Sequence, residues 1–281
     1  MPKLKVSVVI PVYNEADAII PCLDALAAQT VPADEIIVVD NASTDGTGNI
    51  LADYAKTHAI TILNEPKSGV VFARTTGFDA ATGDVIGRID ADTHVSPSWV
   101  AELHRIFAHE PIVATTGAVR YYDLPAFFNR VDRVLRALTV VKKEDATFLN
   151  GSNMAIRATA WRQIRDTLCL RNGVHEDLDI AVHLRRAGQK VFYAPRLVVA
   201  VSARRLDDSF KDIYTYAMGN IRTYKVHHIK RLHSSVFIAS LLILTHLPLR
   251  AIHRGYNPRT KQLSLTKMLF ARPAPRKSPL S

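Results

Sequence analysis

A chain of 281 residues, 48% apolar and 22% charged, is long enough to bury a substantial core and has an ordinary globular balance. Its two cysteines, Cys22 and Cys169, are too few and too far apart for a disulfide scaffold or a metal knuckle, and point to a reducing compartment. The net charge of +10 is unevenly placed: Ile213 to Ser281 holds twelve Lys or Arg and no Asp or Glu, so the basicity belongs to the C-terminal quarter.

Met1 to Val12 is basic and then apolar, but Pro11 and the polar Tyr13-Asn14-Glu15 cut it short of a signal-peptide core. It reads instead as a first strand over Lys5 to Pro11. Ala16 to Gln29 has helical spacing through Ile19, Ile20, Leu23 and Leu26. Glu35 to Asp40 is a second apolar strand, and Asn41 to Gly46 is dense in turn and N-cap residues before a helix from Thr47 to Lys56. Asp45 suits that helix start better than it suits a ligand. Ile60 to Asn64 forms a third strand, Val70 to Ala81 a helix, and Val85 to Asp90 a fourth strand. Ser96 and Pro97, as N-cap and first helical residue, open a helix through Phe107.

Alternating strands and helices predict a doubly wound, mostly parallel sheet flanked by helices, in which ligands sit beyond the carboxyl ends of the strands. Those ends are polar here: Tyr13-Asn14-Glu15, Asp40, Asn64-Glu65 and Asp90-Ala91-Asp92. On an extended strand Asp90 and Asp92 share a face, a pairing that suits a hard divalent cation and equally a polar strand end entering a turn.

Further on, Val113 to Val119 reads as a strand, and Pro125 to Val141 as an amphipathic helix with Arg130, Arg133 and Arg136 on its polar side. Met154 to Ile156 is a short strand after the turn-rich Phe148 to Asn153, and Thr159 to Ile164 a short helix. Glu176 to Ala187 is a helix closed by Gly188. Lys190 to Tyr193 and Val198 to Val201 are two short strands, and Ser209 caps a helix towards Val226. His175 to Asp179 misses the zincin pattern, because position 179 is Asp where that motif needs His.

The ordered set Val9 to Glu15, Val39 to Thr47, Gly69 to Ala73 with Arg74 and Gly77, Asp90-Ala91-Asp92, Gly151-Ser152-Asn153 and Glu176-Asp177 resembles family 2 glycosyltransferases of the GT-A fold, over roughly residues 4 to 205. The resemblance implies inverting transfer of a sugar from a nucleoside diphosphate (UDP-, GDP- or dTDP-linked) to an acceptor hydroxyl, on a glycan or a lipid-linked molecule. It implies a divalent cation, Mg²⁺ or Mn²⁺, on Asp92 with Asp90 facing the ribose and metal-bound water. Pro11, Val12, Tyr13, Glu15 and Asp40 would form the nucleoside pocket, with Lys67 and Arg74 close to the donor. Asp177 becomes the expected base and Glu176 an acceptor or donor contact, although carboxylates also suit a first helical turn for dipole reasons alone. Tyr13 could equally cap the core edge, and Lys67 and Arg74 could form a solvated helix face.

Many GT-A enzymes carry a metal-binding histidine after the base helix. Val198 to Arg205 contains none, so Arg204 and Arg205 are expected to take part of the diphosphate charge. The alternative is a non-catalytic protein that binds nucleotide-sugar or a membrane surface on the same fold. Val236 to Leu249 is the most apolar run, about 14 residues where a span needs ~20. Its flanks Lys230-Arg231 and Arg250 to Arg254 are basic, which favours a monotopic contact with an anionic membrane surface over a packed core helix or a span. The tail has no nucleic-acid-binding motif, so nucleic acid is not an expected partner. The expected organisation is a catalytic domain over 1–208 and a basic helical extension over 209–281. The expected place is the cytoplasm, peripheral or monotopic on the inner face of the membrane.

Overall fold

The computed structural model describes residues 4–109, 111–139, 146–170, 173–229 and 233–270. The chain divides into two compact units: Met1–Val119, Val140–Leu170 and Glu176–Val201 form the first, and Arg120–Thr139, Arg171–His175 and Ser202–Ser281 the second.

The first unit begins with β1 (Val6–Val12), α1 (Ile19–Ala27), β2 (Glu35–Asp40), α2 (Thr47–Tyr54), β3 (Thr61–Asn64), α3 (Val70–Ala80) and β4 (Val85–Arg88). These four strands are parallel in the order β3-β2-β1-β4, the doubly wound arrangement expected from alternating elements. The register brings Val12, Asp40 and Asn64 side by side, so the polar strand ends share one edge of the sheet. Helix α3 packs closely on that sheet: a Cβ on Gly77 would lie 2.4 Å from Val9 Cγ1 and 2.9 Å from Val39 Cγ2.

Beyond β4 the sheet becomes antiparallel. The chain adds β5 (His94–Val95), α4 (Trp99–Phe107) and β6 (Ala114–Tyr121), then α5 (Ala126–Thr139) of the second unit, then β7 (Met154–Arg157), α6 (Ala158–Ile164), α7 (Glu176–Arg186) and β8 (Val191–Val201). The full order is β3-β2-β1-β4-β7-β6-β8-β5, with β7 antiparallel to β4 and to β6, and β5 antiparallel to β8. Because β7 runs against β4, its first residue Met154 lies opposite Arg88, and the 150–153 loop arrives at the same edge as the polar strand ends.

Several boundaries differ from the expectation. The two short strands after α7 are one strand, β8, which runs through Pro195. Helix α4 starts at Trp99 with Ser98 in the cap position, because Ser96 instead uses its carbonyl to close a turn onto the Trp99 amide. The α7 terminus is as expected: Gly188 has φ 75°, its amide donates to Arg185 O and the Gln189 amide to Leu184 O, a Schellman closure.

The second unit contains α5, α8 (Phe210–Val226), α9 (His233–Gly255), a β9–β10 hairpin (Tyr256–Asn257, Gln262–Leu263) and α10 (Leu265–Phe270). Ser209 caps α8, its hydroxyl accepting the Asp212 amide. Side chains of Arg133 and Arg136, together with Lys230, Arg231 and Arg272 to Ser281, lie outside the described residues.

Helix α9 is turned inside out relative to a core helix. Ser235, Ala239 and His246 are buried, while Val236, Phe237, Leu244 and Leu247 are exposed. Its last turns are held by ions: Arg254 Nε donates to Asp207 Oδ1 at 2.6 Å, and His253 lies 3.3 Å from both Asp123 and Asp207. Burial alone would lower the His253 pKa, but the hydrogen bonds it donates to both carboxylates outweigh it and raise the value to about 9. The unfolded value is about 6.5, so protonated His253 contributes stability fully below pH ~6.5, and that contribution is lost as pH rises through about 9. Unfolding free energies from urea titrations at pH 6 to 10 should fall across that window by an amount on the order of 3 kcal/mol or less, and His253→Gln should flatten the fall. An unchanged pH profile in the variant removes His253 as its cause.

Candidate functional site

The site is built on the carboxyl edge of β1 to β4. Asp90 and Asp92 do not lie on an extended strand, as their spacing led one to expect: β4 ends at Arg88, and the Thr93 amide closes a turn onto Asp90 O at 3.0 Å. The Asp90 side chain is 44% exposed and Asp92 is half-buried. Cys22, fully buried in α1, donates its thiol to Asp90 O at 3.7 Å. Burial, and then the Asp92 charge, push that thiol far above its ordinary value, so it is a packing group and not a nucleophile. Two accessible carboxylates are a hard-oxygen donor set, which fits Mg²⁺ or Mn²⁺.

Arg88 joins this turn to the α7 helix. It is 2% exposed at the end of β4; Nη1 donates to Glu176 Oε1 at 2.6 Å and Nη2 to Asp90 Oδ1 at 3.1 Å. Burial would lower its pKa, but the Glu176, Asp90 and Asp177 carboxylates outweigh it and hold the guanidinium charged. Sequence reasoning missed this residue. The signal was present: an arginine at the end of an apolar strand, two places before an aspartate, needs an anionic partner once it is buried.

Asp177 sits beside Glu176 in the first turn of α7. Its Oδ2 accepts the Gly151 amide at 3.0 Å and its Oδ1 the Leu178 amide at 2.7 Å. Gly151 must be glycine here, since a Cβ would meet the Arg88 guanidinium at 2.7–2.9 Å. Asn153 pins the loop from below, accepting from Trp99 Nε1 and donating to Ala118 O and Leu197 O. Arg88 thereby joins Asp90 to Glu176, while the next residue, Asp177, is held separately by the Gly151 amide.

The residues expected to line a nucleoside divide by exposure. Pro11, Tyr13 and Glu15 are half-buried at the edge, whereas Val12 and Asp40 are 2% and 8% exposed. Asp40 Oδ1 accepts the Ser43 amide and so shapes the 41–46 turn. That turn is strained: Ala42 has φ 60°, a conformation costing L-residues about 1 kcal/mol. Asp45 does serve the start of α2. Hydrogen bonds from Thr47 and the Ala16 amide overcome the rise that burial would cause and hold its carboxyl below the usual range. Asn41, also unforeseen, bonds Glu65 O, Lys67 O and the Gly69 amide, and so sets the loop leading into α3.

One cation, Arg74, is placed differently from the expectation. Arg74 is neither on a solvated face nor in reach of a solute: it is fully buried, 5.1 Å over the Trp161 ring, and its three side-chain nitrogens have no hydrogen-bond partner among the described residues. Burial lowers its pKa to about 10, against the pull of Glu176. It acts as a buried positive charge behind α7. Lys67 is exposed and lies 3.9 Å over Phe72. Arg204 and Arg205 belong to the second unit, in the 3₁₀ turn Arg204–Asp207, where Arg205 stacks 4.2 Å over Tyr216.

The sequence model of glycosyl transferase family 2 matches residues 7–168. The glycosyltransferase AglE of Haloferax volcanii is 36% identical over 274 residues, covering 95% of this chain and 89% of that protein. The glycosyltransferase EpsJ of Bacillus subtilis is 39% identical over 99 residues, 35% of this chain and 29% of EpsJ's length. Among solved structures, the mannosyltransferase PcManGT from Pyrobaculum calidifontis in complex with GDP-Man and Mn²⁺ superposes with a TM-score of 0.70 at 23% identity, covering 89% of this chain and 75% of that one. TarS of S. aureus in complex with UDP-GlcNAc does so with a TM-score of 0.56 at 14% identity, over 87% and 73%.

Proposed function

The chain belongs to glycosyl transferase family 2, and from that premise we propose that it transfers a sugar, with inversion, from a nucleoside-diphosphate sugar to a hydroxyl of a glycan or lipid-linked acceptor. The observation that carries this reading is the bridge through Arg88 between Asp90 and Glu176, the neighbour of the expected base Asp177. The sugar nucleotides named with PcManGT and TarS support a nucleotide-sugar donor, and the Mn²⁺ bound to PcManGT supports a divalent cation.

In this mechanism Asp92, with Asp90 beside it, would hold Mg²⁺ or Mn²⁺. When bound, the cation neutralises charge developing on the leaving diphosphate. Pro11, Tyr13 and Glu15 line the nucleoside, and Asp40 holds the turn against it. Asp177 accepts the acceptor proton as the hydroxyl oxygen bonds to the anomeric carbon and the bond to diphosphate breaks on the opposite face. The amides of Gly151 and Leu178 keep its carboxylate oriented.

For the second unit the reading is a monotopic contact with an anionic membrane from the cytoplasmic side. Outward-facing Val236, Phe237, Leu244 and Leu247 on α9, with Leu265 and Leu269 on α10, support it, as does a segment without acids. The stretch Ser235–Gly255 is long and apolar enough to cross a membrane. Its packing with α8 and its ion pairs to Asp207 favour lying on the surface.

The test is donor binding and transfer with UDP-, GDP- and dTDP-sugars, with and without Mn²⁺. Metal-dependent binding and turnover are expected, and both should collapse in Asp92→Ala. Donor that binds without turnover leaves the non-catalytic alternative, and metal-independent binding unaffected by Asp92→Ala removes the proposed metal site. Flotation with anionic but not neutral vesicles is expected of the full chain. Recovery as soluble protein in both cases overturns the membrane contact.

A further inference from the structure

Behind the catalytic end of α7 lies a second polar cluster that the transfer chemistry does not use. Asp179 and His183 are four residues apart on α7 and so share a helix face. The Asp179 side chain is 1% exposed and that of His183 10%. Cys169 follows the 3₁₀ turn Arg165–Thr167, and its backbone amide donates to Asp179 Oδ2 at 2.9 Å. The Cys169 sulfur, an Asp179 oxygen and a His183 ring nitrogen lie within 4.8 Å of one another.

The hydrogen bonds around His183 fix which ring nitrogen faces the cluster. Thr167 Oγ1 lies 2.7 Å from Ile164 O and 2.9 Å from His183 Nδ1; with its single proton given to the carbonyl, it accepts from the ring. Nδ1 therefore carries a proton. In the neutral ring Nε2 then presents a lone pair towards Asp179 Oδ1 at 3.6 Å. Two lone pairs facing each other repel, so a proton or a metal cation belongs between them. The Cys169 sulfur lies beside this pair, so sulfur, nitrogen and oxygen donors converge on one point. A histidine fixed through its outer nitrogen by a hydrogen bond is the usual arrangement around a metal ligand.

We propose that Cys169, Asp179 and His183 bind a zinc ion that anchors α7 to the segment following α6. Zinc accepts this mixed sulfur, nitrogen and oxygen set, whereas the hard cation suited to Asp90 and Asp92 takes oxygen. Bond lengths of about 2.0–2.3 Å place tetrahedral ligand atoms roughly 3.3–3.8 Å apart, which requires side-chain adjustment from the present spacing but no rebuilding. The bound cysteine gives up its proton to solvent and coordinates as thiolate. The site is independent of the identity of the donor sugar.

Full-length protein stripped of metal would be titrated with Co²⁺, whose charge-transfer absorption reports a thiolate ligand, and with Zn²⁺ under thermal unfolding. One equivalent of Co²⁺ with a sulfur band is expected. Cys169→Ser should abolish the band while Mn²⁺ binding at the aspartates persists, and His183→Gln should weaken Co²⁺ about tenfold or more. Zn²⁺ should raise the melting temperature of the parent and not of Cys169→Ser. No sulfur band, a band that survives Cys169→Ser, or Zn²⁺ binding unchanged by His183→Gln overturns the proposal.

Discussion

Asp177→Asn is expected to lower kcat by about 10²–10⁴-fold, the range for loss of a positioned general base, while nucleotide-sugar still binds. The substitution keeps the shape of the side chain but not its acceptor count. Both carboxylate oxygens receive backbone amides, from Gly151 and Leu178, and an asparagine amide can accept only one of them. The other meets N–H against N–H, a local cost of about 1–3 kcal/mol. Donor affinity, measured separately by thermal shift with Mn²⁺, therefore has to accompany the kinetics. A fall in kcat with donor affinity retained assigns Asp177 to the chemical step. Near-normal transfer by a variant that binds donor would exclude it.

Arg88→Met should damage stability and rate together. Removing one member of a buried ion pair typically costs about 3–5 kcal/mol, because the remaining charge stays desolvated. Glu176 is the vulnerable partner, with 13% side-chain exposure against 44% for Asp90. Once released, the first turn of α7 no longer has a fixed relation to the Asp90 turn, and misplacement of about 1 Å can cost on the order of 10² in rate. Arg88→Lys separates the two effects. A lysine retains charge but lacks the planar fork that reaches both carboxylates, so it should recover stability more than rate. A double-mutant cycle with Glu176→Gln measures the coupling. Strict additivity of the two changes would mean that the bridge carries no energy.

The cycle also bears on how the site works. Arg88 and Arg74 place two buried positive charges under a first turn that already carries Glu176, Asp177 and Asp179. Arg88 bonds its carboxylates directly, whereas Arg74 acts at longer range from an aromatic wall. This difference explains why their pKa values move in opposite directions although both are buried.

Much of the molecule is legible in the sequence. Periodicity and the turn residues locate the parallel strands, the helices between them, the Ser209 cap and the Gly188 closure, because each of these depends on local spacing and backbone preference. The same spacing places Asp40, Asn64 and the Asp90 turn at one edge, since parallel strands joined by right-handed crossovers all end on the same side. Antiparallel β7, the brief β5 and the continuous β8 were harder to read, because their partners are distant in sequence and their length is decided by pairing.

Asp-x-Asp shows in the sequence that carboxylates are present, and its order among the other motifs shows the kind of chemistry they suit. It does not show that the pair sits in a turn instead of on a strand, nor that Arg88 reaches from beneath it to Glu176, 88 positions later. Those facts depend on which side chains are buried together, and burial is a property of the packed sheet. Arg74 makes the same point: as text it reads as a surface cation near a phosphate, and packing against Trp161 makes it a buried charge behind α7. Composition determined that the C-terminal segment is basic and apolar. Only its tertiary packing turned the polar side chains of α9 inward and left the apolar ones facing out, because the carboxylates of Asp123 and Asp207 offered the cationic side chains their partners.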